Sequence, residues 1–200
     1  MAGMVLAAGA SLRMGAPKAL LDAGGTSFLE RLTATLGAGG CSPVLVVCAD
    51  RVGDTAREGA RCGAQVVVNP GGQGGQIGSI RAGLRALEEP EPEAAAVVFT
   101  PVDSPRVAVE TVERLIEAWR TDHWPIVIPE FKGERGHPVL VDRTLFSELL
   151  TGDLPEGART VLRRDPGRVR TLPVSDPATT DDVDTPEEYR LFFSPPKTET

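Results

Sequence analysis

The sequence predicts an α/β fold with a mostly parallel central sheet, and three observations carry that prediction. Short apolar runs alternate with segments of helical period. Runs such as "VLVV" at 44–47 and "AAVVF" at 95–99 are apolar at consecutive positions, as strands are when both sheet faces are covered. Loops rich in glycine, proline and aspartate follow these runs, at 8–18, 69–79, 101–106 and 175–186. In open α/β sheets, ligands bind beyond the carboxyl ends of the strands, where these loops lie.

The elements follow in order. Strands are expected at 4–7, 44–47, 65–68, 96–100, 126–129, 138–141 and 169–174. Ile77, Ile80, Leu84 and Leu87 recur at helical spacing, with Gly78 and Ser79 opening that helix. Val112, Leu115, Ile116 and Trp119 mark a second helix. Beyond about Glu130 the alternation loosens. "EFKGERGHPVLV" reads as a hairpin or a return strand, and "TGDLPEGARTVL" as a short helix behind a proline turn. Thr185 and Glu188 form a capping-box pattern for a helix starting near Pro186. With no repeat and no linker, residues 1–193 are expected to form one domain, and the polar, proline-rich 194–200 a disordered tail.

Composition narrows the function. Two hundred residues, 41% of them hydrophobic, suffice for a sizeable core. A formal net charge of −7 argues against a nucleic-acid partner or an anionic membrane surface, since both need a basic face. The three cysteines fit no zinc spacing and read as free thiols in a reducing cytoplasm. No apolar run approaches the roughly 20 residues of a membrane span. No basic segment precedes the first apolar stretch, so a cytoplasmic protein is expected.

Against that acidic background, the chain has no acidic residue before Asp22. The opening loop instead carries Arg13, Lys18 and the small residues Ala7, Ala8, Gly9, Ala10, Ser11 and Gly15. Small residues leave backbone N–H groups uncovered, and several aimed together hold an anion. Arginine adds a fork for phosphate oxygens. These parts describe a polyphosphate cradle, although a surface loop with two solvated cations has the same composition. It is neither a Walker A loop nor a dinucleotide fingerprint, because the lysine and glycine spacings differ.

Four other motifs carry chemistry. In "FTPVDSPRV", Asp103 sits between Pro101 and Pro105 after a strand, as a turn aspartate or as a ligand for a hard cation. A phosphate cradle in the same sheet favours the metal. "NPGGQGGQIGSI" offers Asn69, Gly75, Gly78 and Ser79, as a flexible connector or as backbone that meets a nucleotide at a helix start. His137 in "RGHPVLVD" is a base, a substrate contact or a strand-start residue; His123 reads as structural. "TTDDVDTPEEY" supplies Asp181, Asp182 and Asp184, as an acidic turn or a second metal ligand.

These residues resemble the MobA/MocA-like nucleotidyltransferases, and in particular the molybdenum cofactor cytidylyltransferases. The family pattern L-A-(A/G)-G-x-S-x-R-M-G-x-x-K is matched by Leu6, Ala7, Ala8, Gly9, Ser11, Arg13, Met14, Gly15 and Lys18. "PVDSP" is similar to its aspartate motif, "DVDTPEEY" to its C-terminal motif, and "RGHPVLV" with Gly157–Arg159 to the cytidylyl branch. The resemblance implies a Rossmann-like three-layer sandwich of the nucleotide-diphospho-sugar transferase type. It implies a nucleoside triphosphate held on the first loop, with Arg13, Lys18 and Asp103 as catalytic residues. It implies Mg²⁺, or Mn²⁺, on Asp103 and Asp184, and His137 at the acceptor. Ala8 and Pro17 favour CTP, with CMP transferred to molybdopterin cofactor and pyrophosphate released; a client molybdoenzyme is a further partner. Gly75–Ile80 departs from the cytidylyl branch and resembles the guanylyl branch in part, which leaves GTP open. A sugar phosphate acceptor stays open as well, as does a nucleotide sensor or delivery chaperone without catalysis.

Overall fold

The computed structural model describes residues 1–9, 14–88 and 94–193. The tail at 194–200 and the loop residues Ala10, Ser11 and Arg13 lie outside the described residues. Among the described residues, eight strands make one sheet: β1 (Ala2–Leu6), β2 (Val44–Cys48), β3 (Gln65–Val68), β4 (Ala96–Pro101), β5 (Ile126–Phe131), β6 (Glu134–Arg135), β7 (Val139–Asp142) and β8 (Val169–Pro173). They run in space as β3-β2-β1-β4-β7-β5, with β6 and β8 also on β5. β1 lies parallel to β2 and β4, β2 to β3, and β8 to β5. β7 runs antiparallel between β4 and β5. The sheet is therefore mostly parallel and Rossmann-like, as the alternation predicts.

Among the described residues, seven α-helices cover both faces: α1 (Phe28–Ala38), α2 (Asp54–Arg61), α3 (Gly75–Glu88), α4 (Val109–Asp122), α5 (Phe146–Thr151), α6 (Ala158–Arg164) and α7 (Pro186–Phe193). Met4, Leu6, Leu45, Val47, Val97 and Phe99 pack on the layer of α3, α5 and α6. Val5, Val46, Ala96 and Val98 pack on the layer of α1, α4 and α7. Burial on both sides explains why the strands are apolar without alternation. Among the described residues no helix is long and apolar enough to cross a membrane.

Several boundaries differ from the sequence expectation. β1 starts at Ala2 and ends at Leu6, so Ala7 begins the loop. α3 opens at Gly75, which places Gly78 and Ser79 inside its first turns rather than at its start. There the Ser79 Oγ donates to the Gly75 carbonyl at 3.3 Å and extends the helix backwards. α1 buries Leu29, Leu32 and Leu36 at helical spacing, whereas α2 buries only Ala56 and Gly59. α1 also carries a local signal: Ser27 caps the helix by accepting from the Glu30 N–H at 3.0 Å.

The return strand after β5 is broken. Glu130 pairs with Arg135, but Val127 pairs with Leu140. Three steps along β5 thus match five along the return, and two residues loop out at 136–138. They reach toward the segment before α7, where the His137 N–H donates to the Thr179 carbonyl at 2.8 Å. The break leaves Phe99, Ile128 and Val139 facing a cavity instead of a continuous strand.

Candidate active site

Two cavities open at the carboxyl edge of the sheet and meet at Pro101, Asp103 and Gln76. The smaller, about 230 Å³, is lined by Leu6, Ala8, Gly9, Gly72, Gly75 and Ser79. Its walls are mainly backbone. The 69–75 loop comes so close to the first loop that a Cβ on Gly72 would stand 2.6 Å from the Ala8 carbonyl oxygen. Gly72 also has φ +68°, which side chains resist. Asn69 is buried, and its amide donates to the Gln73 carbonyl and to the Ser79 Oγ, both at 3.1 Å. Asn69 and Ser79 therefore brace this pocket, while Gly75 lines it. Gly78 fits closely as well, since a Cβ there would overlap the Gln73 carbonyl. Met14 and Gly15 continue the first loop on the surface side, with Gly15 exposed at φ +67°.

Lys18 is the centre of the site. Only 6% of its surface is exposed, and its Nζ donates to Asp103 Oδ2 at 3.1 Å and to Asp184 Oδ1. Burial is the largest single influence on the amine and favours its neutral form. The hydrogen bonds and charges of Asp184 and Asp103 together outweigh it, so the pKa is raised and the lysine is cationic. The structure thus joins three residues that the sequence places in three separate motifs.

The acidic segment is held against the Asp103 loop by its backbone. The Val183 N–H donates to the Asp103 carbonyl at 2.8 Å, and Ser104 Oγ to Asp182 Oδ1 at 3.1 Å. Arg106 pairs with Asp181 at 3.0 Å. The capping box forms: Glu188 Oε2 accepts from the Asp184 and Thr185 amides, each at 2.8 Å, and Thr185 Oγ1 accepts from the Glu188 N–H at 3.2 Å. The Asp184 amide, with the Thr185 donors, holds the Glu188 carboxyl below the usual range. Asp182 differs from Asp184. Burial first, and then the Asp103 charge, raise its pKa, and Lys18 bonds Asp184 instead.

The larger cavity, about 590 Å³, is walled by side chains. His137 lines it, with its Nδ1 enclosed and without a hydrogen-bond partner. Burial lowers its pKa to about 4, so the imidazole is neutral at pH 7. His123 is remote from this edge: it ends α4 in a left-handed conformation and packs edge-on against Trp119. The sequence reading gave no role to Gln76 or Arg135, named Arg159 only as part of the Gly157–Arg159 resemblance, and named Glu188 only as a helix cap. Gln76 stands out only as a long polar residue among glycines.

The likeness of this chain to known proteins is broad. Residues 3–169 match the model of the MobA-like NTP transferase domain. The chain belongs to that family. This MobA-like NTP transferase is 33% identical over 201 residues to the nicotine blue oxidoreductase of Paenarthrobacter nicotinovorans, covering 95% of both chains. It is 29% identical to Rv0371c of Mycobacterium tuberculosis H37Rv, with a TM-score of 0.81 over 98% of this chain and 99% of that one. The same mycobacterial protein has been solved with manganese, and that structure superposes with a TM-score of 0.73 over 96% and 97%. The molybdopterin-guanine dinucleotide biosynthesis protein A of Archaeoglobus fulgidus shares the fold, at 19% identity and a TM-score of 0.71 over 96% and 97%.

Among the described residues, no group of three or more His, Cys, Asp or Glu gathers closely enough to hold a metal by itself. The carboxylates of Asp103 and Asp184 nevertheless converge on one ammonium. Hard oxygen donors of this kind suit Mg²⁺ or Mn²⁺, which bind through one or two carboxylates and complete their shell with substrate phosphates.

Proposed function

We propose that this MobA-like NTP transferase moves CMP from CTP to the terminal phosphate of molybdopterin cofactor and releases pyrophosphate. The observation that carries the reading is Lys18, held between Asp103 and Asp184 where a backbone-lined pocket meets a larger one. The small pocket takes the nucleotide. Gly75 and Ser79 lie against it, with Asn69 and Gly78 fixing the loop. The amides of Leu6 to Met14, with Arg13 and Gly15, hold the triphosphate. His137 contacts the acceptor in the large cavity. Asp103 and Asp184 would hold Mg²⁺ or Mn²⁺, which supplies charge stabilisation for phosphoryl oxygens when bound.

No covalent intermediate is needed. An acceptor phosphate oxygen, already deprotonated at pH 7, attacks the α-phosphorus in line. The bond from the α-phosphorus to the bridging oxygen breaks, and its electron pair leaves with pyrophosphate. Lys18 offsets charge that grows on the phosphoryl oxygens, and the two cavities supply orientation. Ala8 and Pro17 favour CTP through the family resemblance. The free thiols of Cys41, Cys48 and Cys62 suit a reducing cytoplasm.

The test is pyrophosphate release with Mg²⁺ and molybdenum cofactor, comparing CTP, GTP, ATP and UTP. Release with CTP alone is expected. Release with GTP alone moves the enzyme to the guanylyl side. Nucleotide binding without release, across phosphorylated acceptors including sugar phosphates, overturns catalysis in favour of a sensor or delivery protein. The relative named as an oxidoreductase gives a second reading, redox chemistry on this scaffold. A change in the absorbance of nicotine blue on incubation with the purified protein and a two-electron reductant would favour it.

A further inference from the structure

The large cavity carries charge that the chemistry above does not use. Asp103 and Asp182 come from the β4 loop and the segment before α7, at the end nearest the nucleotide pocket. Arg135 on β6 and Arg159 on α6 line the same cavity. Neither guanidinium has an ion pair or hydrogen bond among the described residues. Their neighbours are different: Arg163 pairs with Glu156, and Arg164 and Arg168 pair with Glu148. The one acid beside them on the cavity wall is the exposed Glu134.

The backbone brings these arginines to the cavity. Gly157, at φ +62°, turns the chain into α6 and carries Arg159 over the opening. Arg135, whose backbone pairs with Glu130 at the end of β6 just before the looped-out residues, lines the same space. His137 lines the same cavity as Asp103 and Arg159 and feels the charge of both. Its neutral ring, with Phe99 and Ile128, makes an uncharged stretch of the wall. An arginine fork is the usual partner for a carboxylate or phosphate.

We propose that Arg135 and Arg159 form a second anion site, distinct from that of the triphosphate, for an acceptor with a negative group remote from its attacking oxygen. The word acceptor rests on the nucleotidyl-transfer reading; the anion site does not. A cavity of about 590 Å³ has room for a ring-sized body between its two ends.

Phenyl phosphate is the probe. The chain has two histidines, so imidazole proton resonances report the site directly, with His123 as the internal control. At pH 7 phenyl phosphate should shift His137 and leave His123 in place. The Arg135→Ala, Arg159→Ala double variant should bind it at least ~10-fold more weakly, as expected for losing two charged partners. An unmoved His123 resonance in that variant shows that it is folded. Saturating CTP with Mg²⁺ should leave the phenyl phosphate affinity within about twofold if the two anion sites are separate. The proposal is overturned if His137 does not respond, if the double variant binds equally well, or if CTP displaces the probe. Failure of CTP to bind at all would remove the nucleotidyl-transfer reading and leave the anion site standing on the nucleotide-free titration.

Discussion

The two cavities that meet at Asp103 are made of different material. The smaller is made of backbone: Ala8, Gly9, Gly72 and Gly75 bring main chain to its walls, and Asn69 braces one loop from behind. The larger is made of side chains drawn from β4, β5, β6, β7 and α6. A backbone wall offers N–H groups at fixed positions and suits a ligand whose phosphates never vary. A side-chain wall is changed by single substitutions and suits a part of the reaction that differs between relatives. On this view the family resemblance should be strongest where the wall is backbone, as it is in the first loop.

Substitutions can break or sharpen that contrast. The largest effect is expected at the junction. Lys18→Ala should lower the pyrophosphate-release rate at least ~10²-fold, because it removes the cation bonded to Asp103, which lines both cavities. Near-normal turnover would show that the junction is not the reacting centre.

The next effect belongs to the larger cavity alone. The folded pKa of His137 lies near 4, below the ordinary 6.5, because burial disfavours the charged ring. The unfolded chain therefore binds more protons between these values. This contribution is fully present above pH 6.5 and is lost as pH falls toward 4, by up to roughly 3 kcal/mol. His137→Gln should flatten that slope in urea unfolding measured at several pH values. An unchanged slope would place the ring in contact with water.

Gly72→Ala tests the smaller cavity. A methyl there meets the Ala8 carbonyl in a left-handed conformation, and should cost about 1–3 kcal/mol. Titration calorimetry should show weakened CTP binding with the His137 resonance unmoved. Equal damage to both cavities would mean that they are one site. The smallest effect is expected from Glu188→Ala, which removes half of a capping box and should cost about 1 kcal/mol in thermal unfolding. If its turnover falls further than its stability, Glu188 positions Asp184 for the reaction.

The same contrast explains what could be read in the sequence. Glycine spacing and the absence of acids before Asp22 expose a backbone-walled pocket, because the constraint lies within one stretch of chain. The side-chain wall is marked only in part. The stretches "RGHPVLV" and Gly157–Arg159 stand out by resemblance, but nothing local shows that Arg135, His137 and Arg159 line one cavity. Lys18, Asp103 and Asp184 were each legible as motifs, but their mutual ion pairs were not, because no local pattern records a contact across 166 positions. Helix α2 was illegible for a simpler reason. It buries only Ala56 and Gly59, too little to set an apolar period.

That separation of 166 positions also fixes an order of assembly during synthesis. The loops after β1 and β3 are available to fold long before the ribosome reaches Asp184. At about 5–20 residues per second, the nascent chain spends on the order of ten seconds with Lys18 made and its second carboxylate not yet translated. During that interval the emerging chain cannot complete the charge cluster of Lys18, Asp103 and Asp184. The charge cluster is therefore complete only after β8 and the segment beyond it have docked.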